Sequence, residues 1–184
     1  MNDTTPNTLN ALNSRHGKLL DPETLRIHRR LPGNIDRVWS YVTDPDLRRQ
    51  WLAGGTTALQ PQADFELVWR NEELSASSAE RPEGMPAEHR ATCRVLEVDP
   101  PRYLRYAWPD AGEVTIELEQ DGAEVLLTLT HRLLERPALR LNVAAGWHAH
   151  LARLVALVSG DAPPSLWATW KTLRAEYEEL LCVR

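Results

Sequence analysis

The sequence predicts an α+β domain in which a curved antiparallel sheet lies against a long C-terminal helix. The first observation is the stretch 137–159, PALRLNVAAGWHAHLARLVALVS. It places Ala144, Trp147, Leu151, Leu154 and Val158 at steps of three and four, one apolar stripe along a helix. His148, Ala149 and Arg153 fall off that stripe. The second is upstream alternation of apolar and polar residues in short segments, the period of half-buried strands. The third is order: the strands follow one another through turns, with helices kept to one side, which makes an α+β layer pair.

Taken in order, residues 1–20 are polar and unpatterned and read as a flexible arm, leaving 21–184 as a single domain. Residues 23–31 alternate, with Leu25, Ile27 and Leu31 on one face. Arg29 shares that apolar face and is expected to reach out to solvent or to pair with a carboxylate. Pro32-Gly33-Asn34 breaks the strand, and Asn34 can cap a short helix carrying Ile35, Val38, Trp39 and Val42. Asp44-Pro45 restarts the chain as N-cap and first helical residue of a second short helix bearing Leu47 and Trp51. Gly54-Gly55 ends it.

A weak strand is expected over 56–60 and a clearer one where Phe65, Leu67 and Trp69 alternate with Asp64, Glu66 and Val68. Residues 71–88 are rich in Ser, Pro and Glu and read as a long exposed loop, an insertion rather than a lid. The strand over 89–98 loses its alternation near Val95-Leu96, which predicts a bulge. Leu104, Tyr106 and Trp108 share a face of the next strand, and Val114, Ile116 and Leu118 a face of the one after. Asp121-Gly122 marks a hairpin into a last strand with Val125, Leu127, Leu129 and His131 inward. Six to seven strands are expected. After the long helix, Ser165 can cap an extra C-terminal helix striped by Leu166, Trp170, Leu173, Tyr177 and Leu180.

Composition narrows function. At 184 residues the chain can bury a sizeable core, roughly 70% of its unfolded surface. A net charge of −5 lacks the footprint a nucleic-acid partner needs. No apolar run reaches the ~20 residues of a membrane span, and the N-terminus has no apolar core of a secretory signal. Two cysteines, Cys93 and Cys182, make neither a disulfide framework nor a metal site. A cytoplasmic location is expected.

The order of elements and the residues that decorate it resemble the helix-grip fold of the START/Bet v 1-like superfamily. Within it the chain is similar to the group named after the activator of Hsp90 ATPase. The likeness rests on Val38-Trp39…Thr43-Asp44-Pro45…Trp51, on Val95-Leu96-Glu97-Val98-Asp99-Pro100-Pro101 with Leu104 and Trp108, on Thr130-His131, and on Gly146-Trp147 with His150, Leu151 and Leu154. It implies a cavity between sheet and long helix whose lining varies with ligand. The chaperone activator that names the group has a separate N-terminal domain, and this chain is expected to have no room for one.

Candidate ligand-binding residues follow from the inward faces: Trp39, Trp51, Trp69, Tyr106, Trp108, His131, Trp147, His150, Leu151 and Leu154. Seven Trp against one Phe make the set unusually aromatic. Apolar walls with scarce polar anchors suit a hydrophobic ligand, and also a plain core. His131 and His150 are the inward candidates for acid–base work; a lone His among apolar neighbours is ordinarily a core residue with one hydrogen bond. His148 and His150, two apart on a helix, cannot share a metal. No catalytic residue, metal or cofactor is assigned. The reading is therefore non-catalytic binding of a small hydrophobic molecule, with a cyclase- or hydrolase-type enzyme and a chaperone-interaction module as alternatives. A protein partner or homodimer stays open beside it.

Overall fold

The structure, a computed structural model, describes residues 11–132 and 137–181. Residues 1–10 of the expected arm and Cys182 lie outside the described residues. The elements are β1 (Lys18–Asp21), β2 (Thr24–Pro32), α1 (Ile35–Thr43), α2 (Pro45–Arg48), β3 (Gly54–Gly55), β4 (Asp64–Trp69), β5 (His89–Asp99), β6 (Tyr103–Trp108), β7 (Gly112–Asp121), β8 (Glu124–Arg132), α3 (Pro137–Ser159) and α4 (Leu166–Leu180). The eight strands form one antiparallel sheet in the order β1-β2-β8-β7-β6-β5-β4-β3, and α3 packs against it, the architecture of a helix-grip fold.

The sheet has two more short edge strands than the clearest alternation indicates. Part of the expected arm supplies one of them. β1 pairs with β2, and Asn13 exchanges hydrogen bonds with the backbone of Arg30. At the other edge, residues 56–60 form no strand. Only Gly54 and Gly55 pair, with Val68 and Leu67. Gly55 has φ +103°, and a Cβ there would lie 2.1 Å from the Glu66 carbonyl oxygen, so glycine is required.

Register puts the inner face together. Leu25, Ile27 and Leu31 stand opposite His131, Leu129 and Val125, and all are buried. The expected bulge is present: Val95 pairs with Tyr106 and Glu97 with Arg105, leaving Leu96 as the extra residue. The corner between the short helices is capped as predicted. Asn34 Oδ1 accepts from Arg37 N at 2.9 Å, and Asp44 Oδ1 accepts from Asp46 N at 2.8 Å and Leu47 N at 3.3 Å.

The long helix has the bounds the sequence predicts. It stops in a Schellman motif: Gly160, at φ +80°, donates to Leu157 O, and Asp161 donates to Ala156 O at 2.8 Å. Its stripe Ala144, Trp147, Leu151, Leu154 and Val158 is buried on the sheet. The residues off the stripe, His148, Ala149 and Arg153, are buried as well. The reason is α4, which folds back along α3 and covers a second side. On α4 itself, Leu166, Trp167, Trp170, Leu173 and Tyr177 are buried, whereas Leu180 is 56% exposed past the end of the contact.

Two further expectations are corrected. Arg29 neither reaches solvent nor meets a carboxylate. It is fully buried; its Nη1 donates to the carbonyls of Arg15 and His28, while Nε and Nη2 have no partner. Burial brings its pKa down to about 10. Ser165 stands at the N-cap of α4 without capping it. Its hydroxyl donates to Glu80 and accepts from Ala76 N, and the helix end is capped instead from the loop: Ser75 Oγ accepts from Trp167 N at 3.1 Å, and Leu74 O from Leu166 N at 3.0 Å. Residues 71–88 are thus tied to α4. Arg153, buried in α3, adds a second tie by donating to the carbonyls of Leu74, Pro164 and Gln50.

Candidate functional site: an indole-walled cavity

The centre of the interface between α3 and the sheet is a packed core, where Leu25, Ile27, Leu127, Leu129, Leu151 and Leu154 are buried together. Toward the β4 side the packing opens into a cavity of about 300 Å³. Trp69, His89 and Trp108 on the sheet form one wall, and Asn142, Val143, Gly146, Trp147 and His150 of α3 another. Leu166, Trp167 and Trp170 of α4 close a third side, with Leu52, Asn71, Met85 and Pro86 completing it. No Asp, Glu, Lys or Arg lines it among the described residues. Gly146 leaves the helix bare, since a Cβ there would meet nothing within 4 Å.

The sheet wall is a stack. Trp69 and Trp108 are parallel within 10° at 5.0 Å between centroids, and Trp108 and His131 within 25° at 5.5 Å. Because β6 lies between β4 and β8 in the sheet, Trp69 and His131 cover opposite faces of Trp108. Trp108 therefore meets the cavity with its rim. Trp147 stands at 83° to Trp108.

The two inward histidines divide. His131 is fully buried and spent on both sides: Trp147 Nε1 donates to its Nδ1 at 3.0 Å, and its Nε2 donates to Ala111 O at 2.6 Å. Burial, partly offset by the Ala111 carbonyl, lowers its pKa to about 4. His150 Nδ1 donates to Trp51 O at 2.6 Å, which fixes the tautomer. Its Nε2 carries the lone pair, has no partner among the described residues, and opens on the cavity that the ring lines. Burial lowers its pKa to about 4 as well, so the ring is neutral at neutral pH. Two other polar atoms of lining residues, Asn71 Oδ1 and Trp167 Nε1, lack partners but are sealed from open space.

Of the residues expected at the site, the structure brings Trp69, Trp108, Trp147 and His150 to the cavity. Trp39, Trp51, Tyr106, His131, Leu151 and Leu154 are buried in the core and do not line this cavity. Trp51 acts at one remove, through the carbonyl that holds His150. Sequence reasoning missed Trp167, Trp170, Met85, Pro86, Asn71 and His89. Trp170 was legible as part of an apolar stripe, though only as packing. Met85-Pro86, inside a polar loop, carried no period that could reveal it. Among the described residues no group of three or more His, Cys, Asp or Glu could hold a metal ion. Cys93 is a buried free thiol, pushed up to about 12 by burial, and no described helix is long and apolar enough to cross a membrane.

Known proteins bear this architecture. A Bordetella parapertussis protein, encoded by gene BPP1335 and solved by solution NMR, is 39% identical over 89% of each chain, with a TM-score of 0.71. CalU16 from Micromonospora echinospora is 23% identical, covering 86% of this chain and 88% of its own, at a TM-score of 0.63. EF2215 from Enterococcus faecalis, a conserved protein of unknown function, is 21% identical over 95% and 97%, at 0.67; these last two likenesses speak to fold alone. No protein with a curated description matches. The family model of the activator of Hsp90 ATPase homolog 1-like proteins matches residues 33–159, from the turn before α1 to the last residue of α3, and the chain belongs to that family.

Proposed function

We propose that the protein binds a small hydrophobic molecule in the indole-walled cavity and performs no chemistry on it. The observation that carries this reading is the cavity of about 300 Å³ lined by five tryptophans and no Asp, Glu, Lys or Arg among the described residues. Apolar walls with few polar groups, of which His150 is the buried one with an open acceptor, suit a neutral ligand. A ligand burying roughly 300 Å² of apolar surface gains about 7.5 kcal/mol before ordering costs, which puts the micromolar range at the upper limit of affinity from burial alone. The histidines support binding over catalysis. His131 has no free nitrogen, and His150, at about 4, is a weak base where a general base should titrate near the working pH.

Naphthalene titration, read by Trp fluorescence and by thermal shift, tests the reading with the parent and with Gly146→Leu. The open space at Gly146 lets the new side chain enter the cavity, and the exchange removes a helix-interior glycine that costs about 1 kcal/mol against a good helix former. The expected result is micromolar binding to the parent, with a Gly146→Leu protein that melts no lower and binds at least tenfold more weakly. A folded Gly146→Leu protein that binds as well as the parent would place the ligand elsewhere.

A further inference from the structure

Resting on that reading, we infer that the occupant is an uncharged hydroxylated arene, its ring face against the rim of Trp108 and its hydroxyl donating to His150 Nε2. Each half has its own observation. Trp108 is sandwiched between Trp69 and His131, so neither of its faces is free. The rim of an indole is the positive part of its quadrupole. It attracts the negative face of another arene in edge-to-face geometry. It repels a cation, which seeks ring faces, so this wall does not build the cage that a quaternary ammonium requires. With no acid, lysine or arginine in the described lining, a charged ligand also finds no counter-charge.

The hydroxyl follows from the hydrogen-bond account. The indole N–H of Trp147 is committed to His131, and that of Trp170 to the Asn142 carbonyl at 3.3 Å. Asn142 Oδ1 is occupied by Arg174 Nε at 3.0 Å. Among the buried lining side chains, His150 Nε2 is the acceptor left without a partner among the described residues. The Trp51 carbonyl holds the proton on Nδ1, so Nε2 can receive a hydrogen bond and cannot offer one. A ligand that presents a carbonyl there gains nothing; one that presents O–H gains a hydrogen bond to an acceptor on a buried side chain.

The test compares 2-naphthol with naphthalene and 2-methoxynaphthalene on the intact protein at pH 7, by Trp fluorescence. The two ethers-or-hydrocarbon controls bracket the naphthol in size and lack its donor. The naphthol, despite being the more water-soluble, is expected to bind about five- to tenfold more tightly than either. In ¹⁵N NMR the His150 Nε2 resonance should move upfield with 2-naphthol and stay put with the other two. This second readout needs no variant, so a His150→Phe protein that failed to fold would not blunt the test. Equal affinity for the three probes, or an unmoved Nε2 resonance on naphthol binding, overturns the hydroxyl assignment while leaving the cavity reading intact. Failure of all three to bind removes the cavity reading, and this inference with it.

Discussion

Acid should unfold this protein steeply, because three histidines are buried in the neutral form. His131, His148 and His150 are held at about 4, 3 and 4, each mainly by burial and, for His148, also by the nearby Arg29 and His16. All three lie below the 6.5 of a free histidine, so as pH falls the unfolded chain takes up protons first. The stability that accompanies neutral rings is whole above pH 6.5 and is lost progressively between there and about pH 4. Each proton of difference is worth about 1.4 kcal/mol per pH unit. Between pH 5.5 and 4.5 two to three protons differ, so stability should fall by about 3–4 kcal/mol per unit. Two such units remove about 6–8 kcal/mol, comparable to the 5–15 kcal/mol that an ordinary domain has. The surface carboxylates Asp21, Asp64 and Glu88 are depressed by hydrogen bonds, and their contribution is lost only as pH falls past their ordinary values of 3.8 to 4.5. Urea unfolding followed by far-UV circular dichroism, repeated at half-unit pH steps, gives the slope directly. His148→Gln should lower the slope by about one proton. A parent slope of less than one proton over this interval would refute the burial argument.

Two other exchanges test the packing. Trp147→Phe keeps most of the apolar contact but strips the donor from buried His131, and should cost about 1–3 kcal/mol by chemical denaturation; a change within 0.5 kcal/mol, on the order of an ordinary surface substitution, would show that the bond contributes nothing. Asp44→Ala removes the acceptor for two amides at the α1–α2 corner and should cost about 1 kcal/mol, a melting-temperature drop of roughly 2–4 °C. An unchanged melting curve would sink it.

Much of the fold was legible because its elements are regular. β4 alternates over Phe65, Leu67 and Trp69, α3 carries one apolar stripe at steps of three and four, and Pro137 and Gly160 mark the ends of α3. The caps at Asn34 and Asp44 could be named because a capping side chain lies within its own turn. What could not be read depends on distant chain. Nothing local to α3 tells that α4 will return over His148 and Arg153, so a one-sided helix was expected where a two-sided one stands. Arg29 looked misplaced in an apolar strand because its carbonyl partner on Arg15 belongs to a segment without pattern. The cavity is harder still. It is the space that side chains from six stretches of the chain fail to fill, and a difference of volumes leaves no mark in any one of them. Four of the ten expected residues reach it because they face inward near the β4 side; the others face inward where the packing closes.

The tie at Arg153 bears on how this site can change. Its acceptors are the main-chain oxygens of Gln50, Leu74 and Pro164, and the α4 end is held by Leu74 O and one hydroxyl at Ser75. An anchor that grips backbone reads the path of a segment and is blind to the identity of its side chains. Met85 and Pro86, which line the cavity, lie further along the same loop and take no part in the grip. Recognition and attachment are thus written in separate letters of one segment. Residues at the rim can be exchanged to suit a different guest while the guanidinium continues to hold the same three oxygens, so the loop is the natural place to graft new specificity onto this scaffold.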